Sequence, residues 1–284
     1  MVSKMVTMAT SVSSRITLND GVSMPLFGLG VYMSSTGKGG GAETSVQYAI
    51  SKGYRLIDTA EFYGNEADVG MGIKSSGFKR EEIFVVTKLW ENGYSRCKKI
   101  FTQSLKKLDI GYVDLYLIHS PYSGKIVETY KAMLELKDEG LIRSVGVSNF
   151  GVQHLEGLKV AGLPKPSVNQ IELHPWQQKV DIVKYCREND ITVMGYSPLA
   201  KGTQFGDPKV QGIAERHKKS EAQIMIRWSV QNGHITIPKS SNKQRIDENM
   251  AVFDWSLTEE DMQTLNSFPD HSCTWNPTTL PWSG

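Results

Sequence analysis

Between residues 27 and 238 the chain repeats one pattern eight times: a short run of β-forming apolar residues, then a longer stretch with helical spacing. The strand-like runs lie at 27–31, 55–58, 83–87, 113–118, 144–147, 168–171, 192–196 and 235–238. Amphipathic stretches between them include 43–51, 65–75, 125–138, 152–160, 181–188 and 222–231. In 125–138 the apolar set Ile126, Tyr130, Met133, Leu134 and Leu136 is offset from Lys131, Glu135, Lys137 and Asp138, as on a half-buried helix. Several of these stretches stop at a glycine (Gly53, Gly140, Gly162, Gly233), the residue that tolerates a left-handed helix cap. Strands that alternate with helices predict a parallel sheet with right-handed crossovers. Eight such units without a long linker predict an α/β protein built as one closed (β/α)8 barrel, and 284 residues suit a barrel of about 250.

The flanks add little to that core. Residues 15–18 and 22–25 read as a hairpin around Asn19-Asp20-Gly21, with Asp-Gly in the turn. The Ser-, Thr- and Met-rich residues 1–14 lack the continuous apolar segment of a secretory signal and are expected to be a flexible lead. After the last strand come helices from about 244 and over 258–267, then a tail rich in Pro and Trp. The expected organisation is a single barrel domain over 15–284.

Charge and cysteine usage exclude whole classes. With 32 basic and 30 acidic residues the net charge of +2 offers no footprint for nucleic acid. No apolar run approaches the ~20 residues of a membrane span. Cys97, Cys186 and Cys273 are odd in number and far apart, which suits a reducing cytoplasm and neither a disulfide framework nor a metal cluster. A monomer acting on a small molecule is expected. Gly28-Leu29-Gly30 lacks the third glycine of a dinucleotide fingerprint, and the glycine cluster at 37–41 reads as a loop.

Chemistry gathers at the ends of the early strands. The second strand exits through Asp58 and carries Tyr63 on the following loop; the third exits into Lys88-Leu89-Trp90, the fourth into His119-Ser120-Pro121. In a parallel barrel all of these face one mouth, where active sites form. A lysine ending an apolar strand is costly to bury without a partner. Tyr63, with an ordinary pKa of about 10, is a poor proton donor near neutrality. An adjacent Lys88 ammonium is expected to lower that pKa, with Asp58 fixing the lysine and His119 orienting a substrate oxygen. The set suits protonation of a carbonyl while hydride arrives from elsewhere.

The motifs that carry these residues resemble the aldo-keto reductases over nearly the whole chain. They are Gly53-Tyr54-Arg55-Leu56-Ile57-Asp58-Thr59-Ala60 with Tyr63-Gly64-Asn65-Glu66, Thr87-Lys88-Leu89-Trp90, Asp114-Leu115-Tyr116-Leu117-Ile118-His119, and Gly146-Val147-Ser148-Asn149-Phe150. Further on stand Asn169-Gln170-Ile171-Glu172-Leu173-His174-Pro175, Gly195-Tyr196-Ser197-Pro198-Leu199, and Ile237-Pro238-Lys239-Ser240 through Arg245 to Glu248-Asn249. The resemblance implies a TIM barrel that binds NADPH without a Rossmann fold and a catalytic tetrad of Asp58, Tyr63, Lys88 and His119, with Tyr63 as general acid. It further implies a cofactor bed: Ser148, Asn149 and Gln170 for a carboxamide, Tyr196 stacked on the nicotinamide, and Ser197 and Leu199 along the pyrophosphate. Lys239, Ser240 and Arg245 would take a 2′-phosphate, and Glu248 and Asn249 the adenine. No metal is implied.

Two departures bear on substrate. The connection from His119 to Lys125 and the segment 200–207 are compact compared with the aldose-reductase-like branch, which implies a shallower, more open pocket. In this the chain is similar to the short-loop reductases that include the prostaglandin F synthases of trypanosomatids. Trp90 and Trp275 are the expected substrate-binding aromatics, with the tail folding over the mouth. Two other readings stand beside the reductase: a non-catalytic NADPH-binding barrel serving as a regulatory subunit, and a lyase or aldolase with Lys88 as Schiff base.

Overall fold

A computed structural model describes residues 7–284. The hairpin pairs β1 (Arg15–Thr17) with β2 (Ser23–Pro25) antiparallel. The barrel strands follow: β3 (Leu29–Gly30), β4 (Leu56–Asp58), β5 (Phe84–Leu89), β6 (Val113–Ile118), β7 (Ile142–Ser148), β8 (Val168–Glu172), β9 (Thr192–Tyr196) and β10 (Ile235–Thr236). Each pairs in parallel with its sequence neighbour, in the order β10-β9-β8-β7-β6-β5-β4-β3. The sheet then closes on itself through parallel bridges Phe27 to Thr236 and Gly30 to Lys239, with Gly28 N–H donating to the Thr236 carbonyl at 3.0 Å. The expected (β/α)8 barrel is therefore the observed one. Its last strand is shorter than the 235–238 run because Pro238 has no N–H to give a ladder.

Among the described residues ten α-helices surround it: α1 (Gly41–Ser51), α2 (Glu66–Ser75), α3 (Tyr94–Leu108), α4 (Ile126–Asp138), α5 (Val152–Val160), α6 (Val180–Glu188), α7 (Pro208–His217), α8 (Glu221–Gln231), α9 (Lys243–Met250) and α10 (Glu259–Asn266). The four glycines expected to end helices all have positive φ, from 70° at Gly162 to 104° at Gly53. Two helices, α3 and α7, are absent from the amphipathic stretches read above. The second is an insertion between β9 and α8, started by Asp207, whose side chain accepts from Lys209 N and Val210 N, with Pro208 at the first turn.

All six residues of β5 and all six of β6 are buried, since helices cover the outside and side chains fill the inside. A second apolar cluster, around Trp176, Val210, Ile213, Trp228, Leu265 and Phe268, lies under α7, α8 and α10. Among the described residues no helix is long and apolar enough to cross a membrane.

The hairpin decides which end of the barrel stays open. Asn19 Nδ2 donates to the carbonyls of Pro166 and Asp190, both 2.8 Å away and both just ahead of β8 and β9. Asp20 accepts from Ser144 Oγ at 2.8 Å and Lys137 at 2.7 Å. The N-terminal mouth is thus plugged, and the C-terminal mouth is left for the site. Of the expected flexible lead, residues 1–6 lie outside the described residues. The remainder departs from that expectation: Ala9 is buried in the core, Val12 packs against it, and Ser14 Oγ accepts from the backbone of Thr10 and Ser11.

Candidate active site

Three strand ends bring Asp58, Tyr63, Lys88 and His119 to the open mouth. Asp58 is the last residue of β4; a short 3-10 turn over Glu61–Tyr63 then lifts Tyr63 to the rim. Lys88 is fully buried on β5, where every one of its hydrogens has an acceptor. It donates to Asp58 Oδ1 at 2.6 Å, to the Thr59 carbonyl at 2.9 Å and to the Tyr63 hydroxyl oxygen at 3.2 Å. His119 follows β6, with its ring 5.8 Å from that of Tyr63, and its buried Nδ1 has no partner among the described residues. Gln170, from β8, donates to the other Asp58 oxygen at 2.7 Å, so the acid is held from two sides of the barrel.

Burial dominates the electrostatics. It pushes Asp58 up and Lys88 down, each partly offset by the charge of the other. The expectation that Lys88 lowers the Tyr63 pKa is corrected: burial around the hydroxyl pushes the phenol well above its ordinary value, and the Asp58 carboxylate adds to that. Burial, then the Lys88 charge, drives His119 well below its ordinary value, so its imidazole is neutral.

Beside this centre lies a polar shelf. Ser148 Oγ donates to the Gln170 carbonyl at 2.9 Å, and Asn149 Nδ2 to the His119 carbonyl at 2.9 Å. Tyr196, ending β9, donates to Asn149 Oδ1 at 2.8 Å. From there a cleft of about 860 Å3 runs outward between α7, α8 and the start of α9, lined by Leu199, Lys239, Ser240, Arg245, Glu248 and Asn249. Burial and the Arg245 charge both lower the Lys239 pKa, and among the described residues neither cation has an acidic partner. Two unneutralised like charges on one wall are the donor set for an anion. Ser240 is already engaged, its Oγ accepting from Asn242 N at 3.1 Å, and Asn242 caps α9 through Arg245 N.

The tail reaches the mouth. Trp90 stacks on Phe62 (ring centroids 4.2 Å apart) and stands 6.0 Å from Trp275, which is 5.7 Å from Tyr122. Tyr32 lies 4.9 Å from Tyr63. Beyond Trp275 the chain turns onto α5, where Gln153 Nε2 donates to the carbonyls of Thr278 and Leu280 and Trp282 packs on Gly157. The second tryptophan of the tail is therefore spent on anchoring and not on the mouth.

Residues 40–270 match the aldo/keto reductase family. The chain belongs to that family. Among its relatives, a glyoxal reductase of Bacillus subtilis is 44% identical over 92% of this chain and 94% of its own length. A 9,11-endoperoxide prostaglandin H2 reductase of Trypanosoma cruzi is 45% identical over 88% of this chain and 90% of its own. The crystal structure of a Bombyx mori aldo-keto reductase in complex with NADP superposes with a TM-score of 0.84 at 36% identity, covering 92% of this chain and 95% of that one.

In this aldo/keto reductase the motif residues assemble in three groups: the tetrad, the shelf of Ser148, Asn149, Gln170 and Tyr196, and the cleft. Ser197 sits between the last two with a left-handed backbone (φ 51°) and no side-chain contact that ties it to either. Sequence reasoning missed Phe62, Tyr122 and Tyr32 at the rim. Phe62 immediately precedes Tyr63, and Tyr122 immediately follows His119-Ser120-Pro121, so adjacency to the tetrad was the available signal. It also missed the hydrogen bond from Gln170 to Asp58, which joins residues 112 positions apart.

Proposed function

We propose that the chain reduces aldehydes and ketones to alcohols with NADPH, Tyr63 donating the proton to the carbonyl oxygen. The observation that carries this is the triple contact of Lys88. Its third N–H occupies the Tyr63 oxygen, so the phenol's own proton is left to point at a substrate. Asp58 and the Thr59 carbonyl hold the ammonium in place. As charge develops on the phenol oxygen during transfer, the Lys88 hydrogen bond strengthens, which is stabilisation reserved for the transition state. His119, neutral beside Tyr63, hydrogen-bonds the substrate oxygen and fixes its angle.

The residues present fit the cofactor. Lys239 and Arg245 form the unneutralised cationic pair that a 2′-phosphate would meet, with Glu248 and Asn249 further along the same cleft for the adenine. Leu199 lines the path inward, with Ser197 expected beside it along the pyrophosphate, and the Tyr196 ring, held through Asn149, is the platform for the nicotinamide. Ser148, Asn149 and Gln170 supply its carboxamide contacts. When bound, NADPH supplies the hydride; the protein supplies the proton and the orientation.

A finer reading is reduction of the prostaglandin H2 endoperoxide to prostaglandin F2α. It is supported by the Trypanosoma cruzi relative and by the aromatic rim of Phe62, Trp90, Tyr122 and Trp275, an apolar surface suited to a long carbon chain. The first test follows NADPH absorbance with nitrobenzaldehyde. Tyr63→Phe is expected to lower turnover by at least about a hundredfold, the scale of a lost general acid, while fluorescence titration of NADPH stays as in the unmodified protein. Retained turnover in Tyr63→Phe would remove the residue from the role. NADPH binding without any carbonyl turnover in the unmodified protein would make the chain a non-catalytic cofactor-binding barrel.

A further inference from the structure

One carboxylate holds the tail. Glu172, the last residue of β8, is only 3% exposed. Its Oε1 accepts from His174 Nε2 at 2.8 Å and from the backbone N–H of Cys273 at 2.7 Å; its Oε2 accepts from Ser272 Oγ at 2.6 Å and from Thr274 Oγ1. Three of the four donors come from consecutive residues about a hundred positions later in the chain. A carboxylate offers about four acceptor sites, and here all are taken. Thr274 Oγ1 also lies 3.3 Å from the Tyr196 hydroxyl, and the next residue is Trp275 at the rim.

Glu172, His174 and Cys273 bring three ligand-type atoms within 4.8 Å of one another. With the lone pairs of Glu172 occupied and His174 Nε2 turned to the carboxylate, the group is a hydrogen-bonded clamp and not a cation site. A second contact reinforces it on the outer side, where Lys179 Nζ donates to Asn276 Oδ1 at 2.8 Å.

We infer that Glu172 is a positioning residue that clamps the tail at Ser272, Cys273 and Thr274, keeps Trp275 as a wall of the mouth, and so favours extended apolar or aromatic carbonyl substrates over small ones. The part about substrates rests on the reductase reading; the clamp itself does not.

The clamp is read in the substrate-free protein by labelling Cys273 with a thiol reagent. Cys97 and Cys186 are buried and Cys273 is only partly buried, so one thiol reports. Two variants are needed. Glu172→Gln removes the charge but also eases ionisation of the neighbouring thiol, because burial and then Glu172 push Cys273 up to about 12. Ser272→Ala/Thr274→Ala keeps Glu172 and the barrel intact and opens the clamp from the tail side. In the double variant, labelling should accelerate several-fold, and KM for a long aryl ketone should rise about tenfold, with most of the loss in KM and little in kcat. Nitrobenzaldehyde should be affected far less. Unchanged labelling in the double variant would overturn the clamp, even if Glu172→Gln labels faster. Faster labelling with equal losses for both substrates would overturn the substrate-selecting role. If the unmodified protein reduces neither carbonyl, the reductase reading falls and labelling alone decides the clamp.

Discussion

Lys88 spends its three hydrogens on Asp58, Thr59 and Tyr63, which sets the protonation states that an assay can read. Tyr63 is pushed up from 10 and His119 down from 6.5, both chiefly by burial. The sign follows directly. A phenol raised above its ordinary value stays protonated, and an imidazole lowered below its ordinary value stays neutral. Reduction measured as kcat/KM should therefore stay level between pH 6.5 and 10 and decline only on the alkaline side of that window. A fall in kcat/KM as pH rises through about 6.5 would assign the proton to His119 instead, because an imidazolium donor is lost there. In the cleft, a charged contact to phosphate contributes about 1.5–3 kcal/mol, so Arg245→Ala should weaken NADPH binding by about tenfold to a hundredfold and leave NADH binding nearly unchanged. Equal loss for both cofactors would take Arg245 away from the 2′-phosphate.

Helices and strands were legible where local chemistry decides them. Lys125–Asp138 read as a helix because its apolar residues fall on one face, and α4 spans Ile126–Asp138. Thr258 marked the start of α10, and it caps that helix by accepting from Asp261 N. The meeting of Asp58, Tyr63, Lys88 and His119 at one mouth was legible for a related reason: each sits at or near a strand end. What could not be read is whatever joins distant segments. Ala9 looks like any residue of a polar lead until the core it enters exists. Glu172 looks like one more charged residue of a motif until the tail arrives with its donors. The Tyr63 pKa went astray because proximity to Lys88 is visible in the motif, whereas the desolvation that outweighs it belongs to the assembled site. Contacts between neighbouring helices are equally hidden. Gly70 on α2 lies so close to α3 that a Cβ there would collide with the Leu108 carbonyl. Alanine normally strengthens a helix interior, yet Gly70→Ala should cost about 1–3 kcal/mol through overpacking and lower the melting temperature by several degrees, as circular dichroism would record. A higher melting temperature would mean that α2 and α3 separate easily.

At the scale of the molecule, the plug at one mouth and the tail at the other confine chemistry to a single opening. Deleting residues after Ser272 removes Trp275 from the rim and the anchor of Trp282 on α5. KM for a long aryl ketone should rise, while a small aldehyde that never reaches the tail should react almost as before. Equal losses for both would show that the tail only supports the barrel.

The seam between the first and last strands has a consequence for synthesis on the ribosome. Gly30 is bridged to Lys239, and Lys239 is one of the two cations of the cleft proposed for NADPH, so on that proposal ring closure and completion of the phosphate site are one event. A growing chain can form helices and pair early strands, but it can retain no cofactor until residues beyond Arg245 have emerged. On that proposal nascent fragments would not sequester NADPH. The release of a full-length chain into a pool of NADPH should itself pull the last closure forward, since a ligand that binds only the closed ring stabilises it by mass action.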